Sequence, residues 1–139
     1  SGLHIWLDPT IRSVYLCRDS LGAIWRQYHG YGFWKVALAT MRPGAIHVRH
    51  LVPVSFVIGL VGAALVSTLL WWPALPLVLV GYLAAAWVAA LLGPAEEVSA
   101  RLIFPLVTLT MHLAYGTGTL RGLLAWPRLR SLVRRGAAS

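Results

Sequence analysis

Acidic residues are nearly missing from this chain: Asp8, Asp19, Glu96 and Glu97 are the only four among 139 residues. Charge of either sign is scarce, at 12% of residues where a soluble domain carries about 25%. From Leu51 to Ala95 there is no Asp, Glu, Lys or Arg, and Leu102 to Leu120 is a second charge-free run. A membrane helix needs roughly 20 apolar residues, so the first run is long enough for two passes. These absences exclude a soluble enzyme and a disordered chain together. Cys17 stands alone, which excludes a disulfide framework and a thiolate metal site.

What is present is apolar and basic. Hydrophobic residues make up 58% of the chain and the mean hydropathy is +0.71. Twelve Lys and Arg against the four acids give a net charge of +8 and a pI near 10.9. Nucleic-acid binders of such pI carry a basic patch on a soluble domain. Here the arginines flank hydrophobic runs and alternate with Trp, Tyr and Leu, a pattern suited to an anionic membrane surface. No nucleic-acid partner is expected.

The pattern along the chain predicts an all-α membrane protein in four parts. Residues 1–17 read as two short extended pieces around an Asp8-Pro9 turn. Residues 18–50 hold a basic, aromatic helix and a juxtamembrane loop. Asp19-Ser20 offers the cap, and Leu21, Ile24, Trp25 and Tyr28 fall on one helical stripe. A second stripe follows at Trp34, Ala37, Leu38 and Met41, with Gly30 and Gly32 expected to interrupt the helix between them and Pro43-Gly44 to end it. Such a helix is expected to lie in the membrane interface. Residues 51–120 form the transmembrane region, with two to three spans. The first is read at Leu51–Leu70 with Pro53 in its opening turn, and the second at Ala74–Leu92, beyond a Trp71-Trp72-Pro73 turn at the far interface. The third, Leu102–Leu120, is weakened by Pro105, Gly116, Gly118 and four threonines, and is either a span or re-entrant. Residues 121–139 form a basic interfacial tail with a disordered end.

Six basic residues precede the first span and none lies in the Trp71–Pro73 turn, so the N-terminal side is expected to be cytoplasmic. A third span would then leave five arginines of the tail on the outer face, against the same rule.

Polar groups within this frame are few. His47 and His50 have a metal-like spacing but no carboxylate companion, which reads as an interfacial loop. His112 is a polar ring inside an apolar segment, expected to bond Tyr115 or a threonine, or to border a groove for a lipid acceptor. Gly59-x-x-x-Ala63 and Gly118-x-x-x-Gly122 fit close helix contacts. Glu96-Glu97 reads as a solvated loop, with nothing apolar around it to shift a pKa.

Three patches resemble the C-terminal portion of membrane-bound family-2 glycosyltransferases of the bacterial succinoglycan-biosynthesis type. Gly2, Ile5, Trp6, Asp8 and Pro9, then Tyr15 and Arg18, are similar to G-x-x-I-W-x-D-P…Y-x-P-R. Gln27-Tyr28, Tyr31-Gly32 and Trp34-Lys35 are similar to Q-Y-x-R-Y-G-x-W-K. His112, Tyr115-Gly116, Gly118 and Gly122 are similar to H-x-x-Y-G-x-G-x-x-x-G. The resemblance implies that residues 1–17 end an α/β catalytic domain, and that the chain is the anchoring part of an enzyme of the bacterial cell membrane. That enzyme would move a sugar from a nucleotide sugar to a lipid-linked or polysaccharide acceptor.

On the same resemblance, Gln27, Tyr28, Tyr31 and Trp34 form the floor of the acceptor site, with aromatic rings for sugar faces and an amide for hydroxyls. Two positions depart from the family pattern. Gly30 stands where the Arg is expected, and Cys17 where the Pro is. A divalent metal, Mg or Mn, is expected in the full-length enzyme, held by carboxylates upstream of Ser1. Four scattered acids supply neither that metal's ligands nor a general base, so this piece by itself is expected to be inactive, with no catalytic and no metal-binding residue. The rival reading is a small non-enzymatic helical-hairpin membrane protein that binds anionic lipid.

Overall fold

The computed structural model describes residues 10, 12, 14, 17–41, 47–94, 97–128 and 130–131. The expected turn at Asp8-Pro9, the stop at Pro43-Gly44, Glu96 and the last part of the basic tail lie outside the described residues. So does most of the expected extended remnant of an α/β domain.

Among the described residues the main elements are four α-helices: α1 (Leu21–Met41), α2 (Val52–Leu69), α3 (Ala74–Leu92) and α4 (Val98–Leu124). A 3-10 turn, Val48–His50, leads into α2. Among the described residues there is no strand. Three stretches are long and apolar enough to cross a membrane: Val48–Leu69, Ala74–Leu92 and Val98–Leu124.

Helix α1 starts on Ser20, whose side-chain oxygen accepts a bond from the Ala23 N–H at 3.3 Å while its carbonyl accepts from Ala23 and Ile24. The expected break at Gly30 and Gly32 is absent, and α1 runs unbroken for 21 residues. Packing supplies the reason. A Cβ built at Gly32 would run into the Tyr115 carbonyl and into Thr119 of α4, so this glycine serves close helix approach. The buried stripe of α1 is correspondingly small-sided, with Gly32, Val36 and Ala37 buried. Trp25, Trp34, Leu38 and Met41 of the two bulky stripes are all exposed, while Ala37 of the second stripe is buried.

Helix α2 carries Pro53 in its first turn, where the missing N–H costs nothing. It is joined to α3 by a tight turn. The Leu70 and Trp71 N–H groups both donate to the Val66 carbonyl, and the Ser67 hydroxyl donates to the Trp72 carbonyl. Trp72 at this turn is 76% exposed. Along the hairpin Ile58, Val61, Leu65, Val80, Val88 and Leu91 are all more than half exposed, an apolar surface suited to contact with hydrocarbon.

Helix α4 is the hub, in contact with each of the other three. It is one helix of 27 residues with Pro105 inside it, so the segment does not fold back on itself as a re-entrant element. Its threonines are polar in name more than in effect. The hydroxyls of Thr110, Thr117 and Thr119 donate to the carbonyls of Leu106, Leu113 and Tyr115, at 2.8, 2.7 and 2.9 Å.

Glycines set the spacing around α4. A Cβ at Gly118 would meet the carbonyl of His29, one at Gly122 the carbonyl of Phe33 at 3.0 Å, and one at Gly116 the carbonyl of Pro53. Ile24 and Tyr28 face Val107 and Met111. Residue numbers thus rise together on the two helices, and α1 and α4 run side by side in the same direction.

Candidate functional site

Residues 27, 30, 31 and 34 follow the i, i+3, i+4, i+7 spacing and share one face of α1. That face borders a cleft of about 480 Å³ lined by Arg18, Arg26, Gln27, Gly30, Tyr31 and Trp34. Three of the four expected acceptor-site residues therefore meet in one place. Tyr28 does not line this cleft. It turns toward α4 beside Ile24, Val107 and Met111, and touches the site through an edge-on contact with the Tyr31 ring at 5.6 Å.

A chain of side-chain hydrogen bonds fixes the cleft wall. Arg18 Nε donates to Gln27 Oε1 at 2.8 Å, and Gln27 Nε2 donates to Tyr31 Oη at 2.6 Å. The Gln27 carboxamide is thereby oriented by a cation on one side and a phenol on the other. Its carbonyl is engaged, so what remains for a ligand is mostly donors: further N–H groups of Arg18, the Tyr31 hydroxyl and the Arg26 guanidinium. A donor-rich cleft suits ligands rich in acceptor oxygens, such as phosphates and sugar hydroxyls.

Arg18 and Gln27 come from two different sequence patches, and the structure brings them into contact. Gly30, the position that lacks the expected Arg, sits on the cleft wall, where a Cβ would meet nothing within 4 Å. Arg26 lines the same cleft and supplies positive charge there. Trp34 is 65% exposed and Tyr31 53% exposed, so both rings offer accessible faces. Among the described residues no carboxylate lines the cleft. These residues can bind and orient a ligand, but they include no base for a hydroxyl proton.

His112 bonds the backbone of Thr108, a threonine as expected, and takes a second partner that was not expected. Its Nδ1 lies 2.7 Å from the Tyr82 hydroxyl of α3, and the Tyr82 ring stacks on Phe56 of α2 at 4.3 Å. The group ties α2, α3 and α4 together away from the cleft. Tyr82 carries the sole hydroxyl between Ala74 and Leu92, and that isolation within an apolar run was the available signal. His47 and His50 form a local cap: the His47 N–H donates to His50 Nδ1 at 3.0 Å. Among the described residues no three His, Cys, Asp or Glu side chains gather as metal ligands. The described residues thus offer no ligand set for the divalent cation that the resemblance implies.

No protein-family model, no curated protein and no solved structure matches this chain.

Proposed function

We propose that this chain is the membrane-anchoring, acceptor-side part of a family-2 glycosyltransferase of inverting type. The donor is a nucleotide sugar, and the acceptor a lipid-linked or growing saccharide at the cytoplasmic face of a bacterial membrane. The observation that carries this reading is the Arg18–Gln27–Tyr31 relay beside Trp34. It joins two patches of the family resemblance in one donor-rich, aromatic cleft. The cleft's part is to hold the acceptor: ring faces for the sugar, N–H and O–H donors for its oxygens. The carboxylates that bind the metal and take the acceptor proton belong to another segment of the enzyme.

The α2–α3 hairpin is the anchor in this reading, while the α1–α4 pair lies obliquely on the cytoplasmic side, deep enough in that leaflet for His112 of α4 to reach Tyr82 midway along α3. That arrangement keeps the basic residues of α1, the Arg49 region and the tail on one side of the bilayer, in line with the positive-inside bias.

The test is glycosyl transfer in membranes holding this chain together with its catalytic segment. Gln27→Ala, Tyr31→Ala and Trp34→Ala are each expected to lower kcat/KM at least about tenfold, the loss of roughly 1.4 kcal/mol of binding in the transition state. Membrane levels of the protein should stay unchanged. If all three variants turn over like the parent, the enzymatic reading fails and the lipid-binding hairpin takes its place.

A further inference from the structure

Tyr31 and Trp34 form a ridge with a cleft on each side. The second cleft, about 360 Å³, is lined by Tyr31, Trp34, Lys35, Leu38, His50 and Tyr115. It differs from the first in composition and position. One wall is apolar and aromatic, while the other brings an ammonium, an imidazole and a phenol together from three separate elements: Lys35 of α1, His50 of the 3-10 turn and Tyr115 of α4. Arg49 adds positive potential beside His50. Among the described residues no carboxylate lines the cleft, so its chemistry selects an anion.

Its position selects the source of that anion. His50 lies two residues before α2, just ahead of the charge-free run from Leu51 to Ala95. Around it Val48 is 81% exposed, Leu51 48% and Val52 55%, a bare apolar shoulder continuous with the lipid-facing side of α2. Tyr and Trp rings at the opening are the side chains that settle at headgroup depth. A soluble anion has no use for that shoulder or for the Leu38 wall. An amphiphile uses both.

We propose that this second cleft is a specific site for one anionic phospholipid. Its phosphate is held by Lys35, His50 and the Tyr115 hydroxyl, and its acyl chains lie along Leu51, Val52 and the outer face of α2. The Lys35 ammonium supplies the charge-assisted bond, and the ring and phenol groups fix the phosphate's place. This assignment does not rest on the glycosyltransferase reading: it needs only a bilayer and the described helices.

The test is native mass spectrometry of the full chain released from nanodiscs of equimolar phosphatidylcholine and phosphatidylglycerol. The parent is expected to retain one phosphatidylglycerol in preference to phosphatidylcholine. Lys35→Gln with His50→Gln should weaken that retention about tenfold, as expected for the loss of a charge-assisted contact. Arg128→Gln with Arg130→Gln, which removes equal or greater charge from the tail, should leave it unchanged. Circular dichroism of both double variants should match the parent. A variant with altered helicity is replaced by Tyr115→Phe, which is expected to weaken retention without touching charge. Equal retention of the two lipids overturns the proposal, as does equal loss in the tail variant. Displacement of the lipid by inorganic phosphate also overturns it, marking a free-anion site instead.

Discussion

Two glycines of similar sequence context carry opposite costs. Gly118 leaves no room for a side chain, because the His29 carbonyl of α1 occupies the place of its Cβ. Gly30 faces open space on the cleft wall. Gly118→Ala is therefore expected to destabilise the fold by about 1–3 kcal/mol, the usual cost of overpacking. Gly30→Ala should stabilise α1 by about 0.5–1 kcal/mol, because it removes a mid-helix glycine without a clash. Thermal unfolding in detergent checks both: one midpoint falls and the other rises. The same geometry admits Gly30→Arg, which restores the cation that the resemblance leads one to expect, and that variant should unfold at a midpoint no lower than the parent.

At the scale of helices, the Phe56–Tyr82–His112 group is the polar fastener of the apolar hairpin. Tyr82→Phe keeps the stacked ring and removes the hydroxyl that meets His112, at an expected cost of about 0.5–1.5 kcal/mol. The loss should exceed that of Thr110→Val, whose hydroxyl is satisfied within its own helix; detergent-unfolding curves of the two variants compare them directly. The helices themselves were legible in the sequence. Charge-free runs bounded by Trp-Trp-Pro and Gly-Pro located α2 and α3, and Ser20 located the start of α1. The buried face of α1 was not legible from its large residues. Periodicity identifies a stripe but not the solvent behind it, and near a bilayer the bulky stripe faces outward while glycine and alanine face in. The continuity of α4 was obscured for a related reason. Its threonines and glycines lower its apolarity, yet the hydroxyls are bonded along the helix and the glycines fit against neighbouring backbones. In the candidate site Gln27, Tyr31 and Trp34 share a face by spacing alone, whereas the Arg18 contact crosses the helix start and needed coordinates.

For the molecule as a whole, the parallel packing of α1 on α4 restricts how the chain meets a membrane. Two helices locked together over residues 24–36 and 107–122 share one inclination. An α1 lying flat and an α4 standing upright are therefore not compatible. The proposed arrangement, with the hairpin inserted and the α1–α4 pair oblique in one leaflet, places Cys17 and Ser131 on the same side. A cysteine introduced by Ser131→Cys in a Cys17→Ser background should react with an impermeant maleimide from the same face as native Cys17. Labelling from opposite faces would require α1 and α4 to cross the bilayer together. The tight turn at Trp71–Pro73 should be reachable only from the other side.

The shared ridge of Tyr31 and Trp34 has a thermodynamic consequence. Neither ring can turn to suit an occupant of one cleft without changing the wall of the other. A headgroup beside Lys35 and a saccharide beside Gln27, seated as proposed, would thus be linked. Whatever factor the first imposes on the affinity of the second must be returned in equal measure. A bilayer that changes its anionic lipid content would in this way tune the grip on a carbohydrate that never touches the lipid.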